Sequence, residues 1–146
     1  VEQSELDAVD RYLSNDSKVL DGFQPHWSQH PGYKDHQIGW LILEEDTGII
    51  RSKLQFRIPD MYPQYCSISL IFRGNAVCRA DKDASHVCKA NPPFASKFAL
   101  PAKVCGPHLH GWHDNKGYIA TSHRWDLPLR RQIEQNIDSI DNMFFD

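Results

Sequence analysis

The sequence predicts a single α+β domain in which an N-terminal helix precedes a four-stranded antiparallel meander and a C-terminal helix covers the sheet. Three observations predict it. Apolar residues alternate with polar ones through residues 50–58, broken at Ser52, and again through Cys66, Ile68, Leu70 and Phe72, the period-two signature of half-buried strands. Apolar residues recur every three or four positions near both ends, in Leu6, Val9, Tyr12 and Leu13 and in Leu129, Ile133, Ile137, Ile140 and Phe144. A chain of 146 residues encloses one core and is too short for two, so residues 1–146 form one domain.

Taken in order, Ser4 with Asp7 three residues on reads as an N-cap signal, and Asn15-Asp16 ends the first helix. Residues 21–36 contain Gly22, Pro25, Pro31 and Gly32 without periodicity and read as a surface loop anchored by Phe23, Trp27 and Tyr33. Strands follow at 37–44 and 50–58, joined by the Asp46-Thr47-Gly48 turn. In the second of these, Ile50, Leu54, Phe56 and Ile58 alternate with Arg51, Lys53, Gln55 and Arg57. A turn at 59–63 leads to a third strand, and Gly74-Asn75 reads as a type II′ hairpin returning through a fourth strand at 76–81. That register sets Phe72 opposite Val77 and Leu70 opposite Arg79, so Arg79 and Asp81 point toward the core side as a structural ion pair or as a wall of a site. It also turns Cys78 away from Cys66. From Lys82 to Trp125 the pattern is lost and four prolines interrupt it; a segment this long without regular structure is usually functional. Within it, residues 113–117 read as a polar turn. Pro128 opens the final helix.

Composition narrows the function. Apolar residues at 40% and charged residues at 24% describe a folded globule and not a disordered tail. A net charge of −3 and a pI near 6.2 supply no basic field for a phosphate backbone, so nucleic acid is not an expected partner. Apolar runs are too short to cross a bilayer and the first residues are polar, which gives the expectation of a cytoplasmic protein with no membrane partner. In that compartment Cys66, Cys78, Cys88 and Cys105 are expected as free thiols, metal ligands or a nucleophile.

Chemistry concentrates between Cys88 and His113. The run Cys105-Gly-Pro-His108-Leu-His110 has the spacing Cys-x-x-His-x-His, with His86 and Cys88 upstream. Cys88, Cys105, His108 and His110 together would make a two-Cys, two-His zinc site that orders the loop. Alternatively Cys105 is a nucleophile whose thiol is acidified by His108 or His110, with Asn91 offering an amide N–H to an oxyanion and Asp114 in a secondary catalytic role. A third possibility is that the cysteines are buried hydrophobes and the histidines are satisfied by backbone carbonyls.

The stretch from Trp40 to Gly48, the passage Leu54-Gln-Phe56-Arg-Ile-Pro59-Asp-Met-Tyr62-Pro63 and the strand at 68–72 resemble the ubiquitin-conjugating enzyme fold, with His86, Asn91-Pro92 and Trp112 as looser echoes. The Pro-Pro, Cys-Gly-Pro-His-x-His and Leu-Pro-x-Arg-Arg elements resemble the shortened conjugating enzymes of bacterial ubiquitin-like operons. The resemblance implies a cysteine-dependent acyl transferase that carries a ubiquitin-like modifier as a thioester on Cys105 and passes it to an amine, in antiviral defence. Its implied partners are the modifier, an adenylating enzyme and a target protein, and it needs no cofactor. Asn91 would be the oxyanion donor, and His108, His110 or Asp114 would orient or deprotonate the amine. Two other functions compete: a zinc-binding hydrolase or zinc-stabilised binding protein, and a toxin-like nuclease using Arg79, Asp81 and the histidines.

Overall fold

The computed structural model describes residues 1–29 and 35–133. Helix α1 (Gln3–Ser14) begins two residues earlier than Ser4 implies, because Glu2 and Glu5 form a reciprocal capping box. Its apolar stripe of Leu6, Val9 and Tyr12 is buried. Strands β1 (Lys18–Gln29), β2 (Asp35–Glu44), β3 (Ile49–Pro59), β4 (Ser67–Phe72) and β5 (Asn75–Asp81) then run as an antiparallel meander. The expected loop at 21–36 is therefore mostly strand. β1 pairs with β2 across an irregularity between Asp21 and His26, and such an interruption hides the strand period from the sequence.

The sheet does not stop at four strands. Strands β6 (Cys88–Ala90) and β7 (Lys103–Cys105) pair as a small separate hairpin, with a 3₁₀ helix (Pro93–Phe98) between them. Strands β8 (His108–His110) and β9 (Arg131–Gln132) extend the main sheet in the order β1-β2-β3-β4-β5-β8-β9. Helix α2 (Trp112–Ser122) occupies residues read as a polar turn, and it buries Trp112, Asn115 and Ile119. The final helix falls largely on residues 134–146, outside the described residues. Where its start is described, the chain from Pro128 is extended and enters β9. No helix among the described residues is long and apolar enough to cross a membrane.

One core lies where α1 and α2 meet the end of the sheet, joining Leu6, Val9, Tyr12, Phe72, Val77, Trp112, Ile119 and Leu127. Asp10 fastens the two helices, accepting a hydrogen bond from Trp112 Nε1 at 2.8 Å and pairing with Lys116. A second cluster, Ile68 and Ala80 with Leu54, Phe56 and Leu109, lines the apolar side of the central strands.

Two register shifts correct the expected faces. Arg73 and Gly74 both have positive φ, 50° and 83°, so the hairpin loop is Arg73-Gly74, a mirror-image turn suited to the right-handed strand twist. Phe72 consequently pairs with Asn75, and an irregularity then sets Leu70 opposite Cys78 and Ile68 opposite Ala80. Arg79 pairs with Ser69 and Asp81 with Ser67, so both face the polar side of the sheet and not the core. A similar shift between Ile42 and Leu43 turns Ile50 outward, where it is 41% exposed.

The displaced Arg51 now reaches Glu44, which is 1% exposed, through Nε at 2.8 Å and Nη2 at 2.5 Å. Those hydrogen bonds hold the Glu44 carboxyl below its ordinary 4.5 although burial opposes them. Because the folded value is the lower one, the pair stabilises fully above the unfolded pKa, and the stabilisation is lost as pH falls toward the folded one. Arg51→Met, which leaves a buried carboxylate unpaired, is expected to cost about 3 kcal/mol at neutral pH. Its melting temperature should also fall less steeply than that of the parent below pH 4.5, as checked by thermal melts across the acid range.

Candidate metal centre

Strand pairing alone assembles the site. On the polar face, one rung runs Gln37, Arg57, Ser67, Asp81, His108 across β2, β3, β4, β5 and β8, and the next runs Gln55, Ser69, Arg79, His110. Period-two alternation places His108 and His110 on the same face, as it does Arg79 and Asp81. The rungs form the floor of a cleft of about 520 Å³ whose lining includes Gln55, Arg57, Ser69, Arg79, Asp81 and Lys89.

His108 and His110, each 1% exposed, converge on Asp81, which lines that cleft. Asp81 Oδ2 lies 3.2 Å from His108 Nε2 and 3.3 Å from His110 Nε2. One ligand atom from each of the three side chains falls within 4.8 Å of the others.

The outer ring nitrogens fix the proton positions. His110 Nδ1 lies 2.5 Å from the Leu127 carbonyl and His108 Nδ1 lies 2.9 Å from the Gly106 carbonyl. A carbonyl oxygen only accepts, so both Nδ1 atoms carry hydrogen and donate. In the neutral rings the Nε2 lone pairs therefore point inward at the carboxylate. Burial, aided by the neighbouring Arg79 charge and opposed by Asp81, lowers the His110 pKa and favours that neutral form. Burial works to raise the Asp81 carboxyl, but hydrogen bonds from the two imidazoles, which require a proton on Nε2 as well as on Nδ1, and the Arg79 charge outweigh it and hold the group well below the usual carboxylate range. His108 Nε2, buried and facing a carboxylate oxygen, has no hydrogen-bond partner. With Nδ1 donating to a backbone carbonyl, the contact between Nε2 and the carboxylate oxygen is attractive only with a second proton on the ring or a metal ion between the two atoms.

The loop that presents His108 is clamped. Cys88 and Cys105 are joined by a disulfide across β6 and β7. Gly106 N–H donates to the Val87 carbonyl, and the Gly106 carbonyl then receives His108. Gly106 has φ of 78°, and a Cβ there would meet Ser85 Cα at 3.3 Å. Gly106→Ala therefore combines left-handed strain with a close backbone approach, and is expected to lower stability by about 1–3 kcal/mol in denaturant titrations.

The residues expected from sequence separate into two groups. His108 and His110 join the cluster. Cys105 and Cys88 do not: both sulfurs are in the disulfide, so neither is a thiolate ligand nor a nucleophile as they stand, and the two-Cys, two-His set is replaced by two histidines and Asp81. Asn91 is 7% exposed, and its amide donates to the Pro101 and Arg130 carbonyls while its oxygen accepts Arg130 N–H, leaving no N–H for an oxyanion. Asp114 is held in a two-pronged pair by Arg131, at 3.0 and 2.8 Å. Cys66 and Cys78 are free thiols; burial raises the pKa of both, that of Cys78 to about 11. Asp81 was legible only as a wall residue beside Arg79, since its pairing with β8 depends on a three-residue strand.

No protein-family model, curated protein or solved structure matches this chain.

Proposed function

We propose that the chain is a metal-dependent hydrolase in which Asp81, His108 and His110 hold one divalent ion, with zinc the best fit to the donor set. The carrying observation is the convergence of two buried Nε2 atoms on one carboxylate, with both Nδ1–H groups tied to backbone carbonyls. Metal-binding histidines are oriented by this kind of outer hydrogen bond, which fixes the tautomer and presents the lone pair. Three protein ligands leave a coordination position open, the arrangement of catalytic rather than structural zinc. Asp81 lines the cleft, so the open side faces solvent and substrate. A divalent ion at this position acidifies water and polarises a phosphoryl or acyl oxygen. The protein contributes the dry histidine wall, the fixed tautomers, and the serine and glutamine donors of the two rungs.

The test uses protein stripped with chelator and resupplied with Zn²⁺, Mn²⁺ or Co²⁺, assayed on chromogenic phosphomonoester, phosphodiester and carboxylic ester substrates. Turnover that returns with a metal and is missing in His108→Ala supports the reading. Absence of metal-dependent turnover on all three substrate types counts against it.

A second reading, a ubiquitin-conjugating-like scaffold, is supported by α1 followed by the β1–β4 meander with Tyr62-Pro63 between β3 and β4. It requires a reactive thiol, and the arrangement favours none: Cys105 is in the disulfide and the Cys78 pKa lies near 11. Incubation with an adenylating enzyme, a modifier and ATP tests it through a thiol-labile adduct lost in Cys105→Ala.

A further inference from the structure

Arg79 occupies the approach to the cluster. Its Nη2 lies 2.9 Å from His110 Nε2 and its Nε lies 3.2 Å from Asp81 Oδ2. Its side chain is 40% exposed and forms part of the cleft wall. We propose that the Arg79 guanidinium holds the place of the divalent ion, and that the ion, on binding, displaces it into the cleft, where it clamps a phosphoryl oxyanion of the substrate. This rests on the reading of Asp81, His108 and His110 as metal ligands, and adds the substrate class.

A neutral imidazole protonated on Nδ1 offers a single lone pair at Nε2. On His110 the Arg79 N–H uses that lone pair, and a metal ion needs the same one. The two cations therefore exclude each other at His110. The guanidinium remains charged at any working pH, so a divalent ion at the cluster also repels it. Its stem on β5 faces the cleft, and Ser69, Gln55 and Ser67 across the neighbouring strands are neutral hydrogen-bonding groups. Asp83, the other carboxylate of the cleft lining, is already paired with Lys89 at 2.9 Å, so a displaced guanidinium there lacks a free counter-charge until an anion enters. The fork of N–H groups fits two oxygens of a phosphoryl group, while the metal faces a third. Arg79 is thus a substrate-binding residue in the loaded protein and a competitor of the metal in the metal-free one.

Two titrations on the full chain test this, with Arg79→Gln, Arg79→Met and Arg79→Lys beside the parent and thermal melts to confirm folding. Zn²⁺ affinity is read by competition with a chromogenic chelator, and inorganic phosphate affinity by calorimetry on the zinc-loaded protein. Both neutral variants are expected to bind Zn²⁺ at least about tenfold more tightly and phosphate at least about tenfold more weakly than the parent, the size of one charged hydrogen bond lost. Arg79→Lys, which keeps the charge without the fork, should lose part of the phosphate affinity. Parental Zn²⁺ affinity in both neutral variants overturns the competition while leaving the metal centre standing. Tighter zinc with unchanged phosphate binding overturns the anion clamp. Failure of the parent and of every variant to bind Zn²⁺ overturns the metal reading itself.

Discussion

Replacing His108 or His110 by Ala is expected to lower divalent-ion affinity by at least about a hundredfold and to abolish metal-dependent turnover. Each change removes one of three ligand atoms from a set that already uses few. Each also uncovers a carbonyl, Gly106 for His108 and Leu127 for His110, which adds a stability cost of about 1–3 kcal/mol. Glutamine substitutions refill part of the space without supplying an imidazole, and separate the two effects: a His108→Gln protein that melts near the parent yet binds no metal isolates the ligand role. Asp114→Asn is the contrasting variant. Its two-pronged pair with Arg131 is partly solvent-exposed, so its loss is expected to cost no more than about 1 kcal/mol and to leave metal affinity intact. Calorimetric metal titrations of these variants beside the parent check the ordering.

Removal of the Cys88–Cys105 disulfide is expected to lower stability by about 3 kcal/mol, the loop-closure cost for a sequence separation of 17. The effect extends into the site because only Gly106 and Pro107 lie between Cys105 and His108, and the Gly106 carbonyl sets the His108 tautomer. Gln132 supplies a partial brace by accepting the Cys105 N–H at 3.0 Å and donating to the Cys105 carbonyl. A Cys88→Ser, Cys105→Ser double variant should therefore melt lower and bind metal more weakly than the parent, and reduction of the parent should reproduce both changes. Reduction should leave the double variant unaffected, since Cys66 and Cys78 are unpaired. Equal melting temperatures for oxidised and reduced parent would contradict the assignment of this clamp.

The parts legible in the sequence are those whose signal is local. Alternation at Leu54, Gln55, Phe56 and Arg57 and at residues 67–72 marked β3 and β4, and the stripe of Leu6, Val9 and Tyr12 marked α1. The parts missed depend on pairings or turns that leave little local trace. Arg73 adopts a positive φ that an arginine seldom does, which moves the hairpin one residue earlier than expected, and the irregularity between Leu70 and Ile71, invisible in the sequence, is what turns Arg79 and Asp81 to the polar face. Helix α2 has a weak apolar stripe and carries Asn115 in its buried face, where the amide bonds the Gly111 and Leu129 carbonyls and accepts Leu129 N–H. Strands β8 and β9 have three and two residues, too few for any period to register. The histidine half of the site was readable as His-x-His, which in a strand puts both rings on one side. The Asp81 half required knowing that β8 pairs with β5. The disulfide joins two short strands that face each other only after the 3₁₀ segment has folded between them, so spacing alone left free thiols as the expectation.

The most direct test is anomalous scattering at the zinc edge from crystals grown with Zn²⁺. The account predicts one strong site per chain, about 2.0–2.2 Å from His108 Nε2, His110 Nε2 and an Asp81 carboxylate oxygen, with the Arg79 guanidinium moved away from His110. A zinc site at Cys88 and Cys105 instead, or no zinc at Asp81 with Arg79 still bonded to His110, would contradict it.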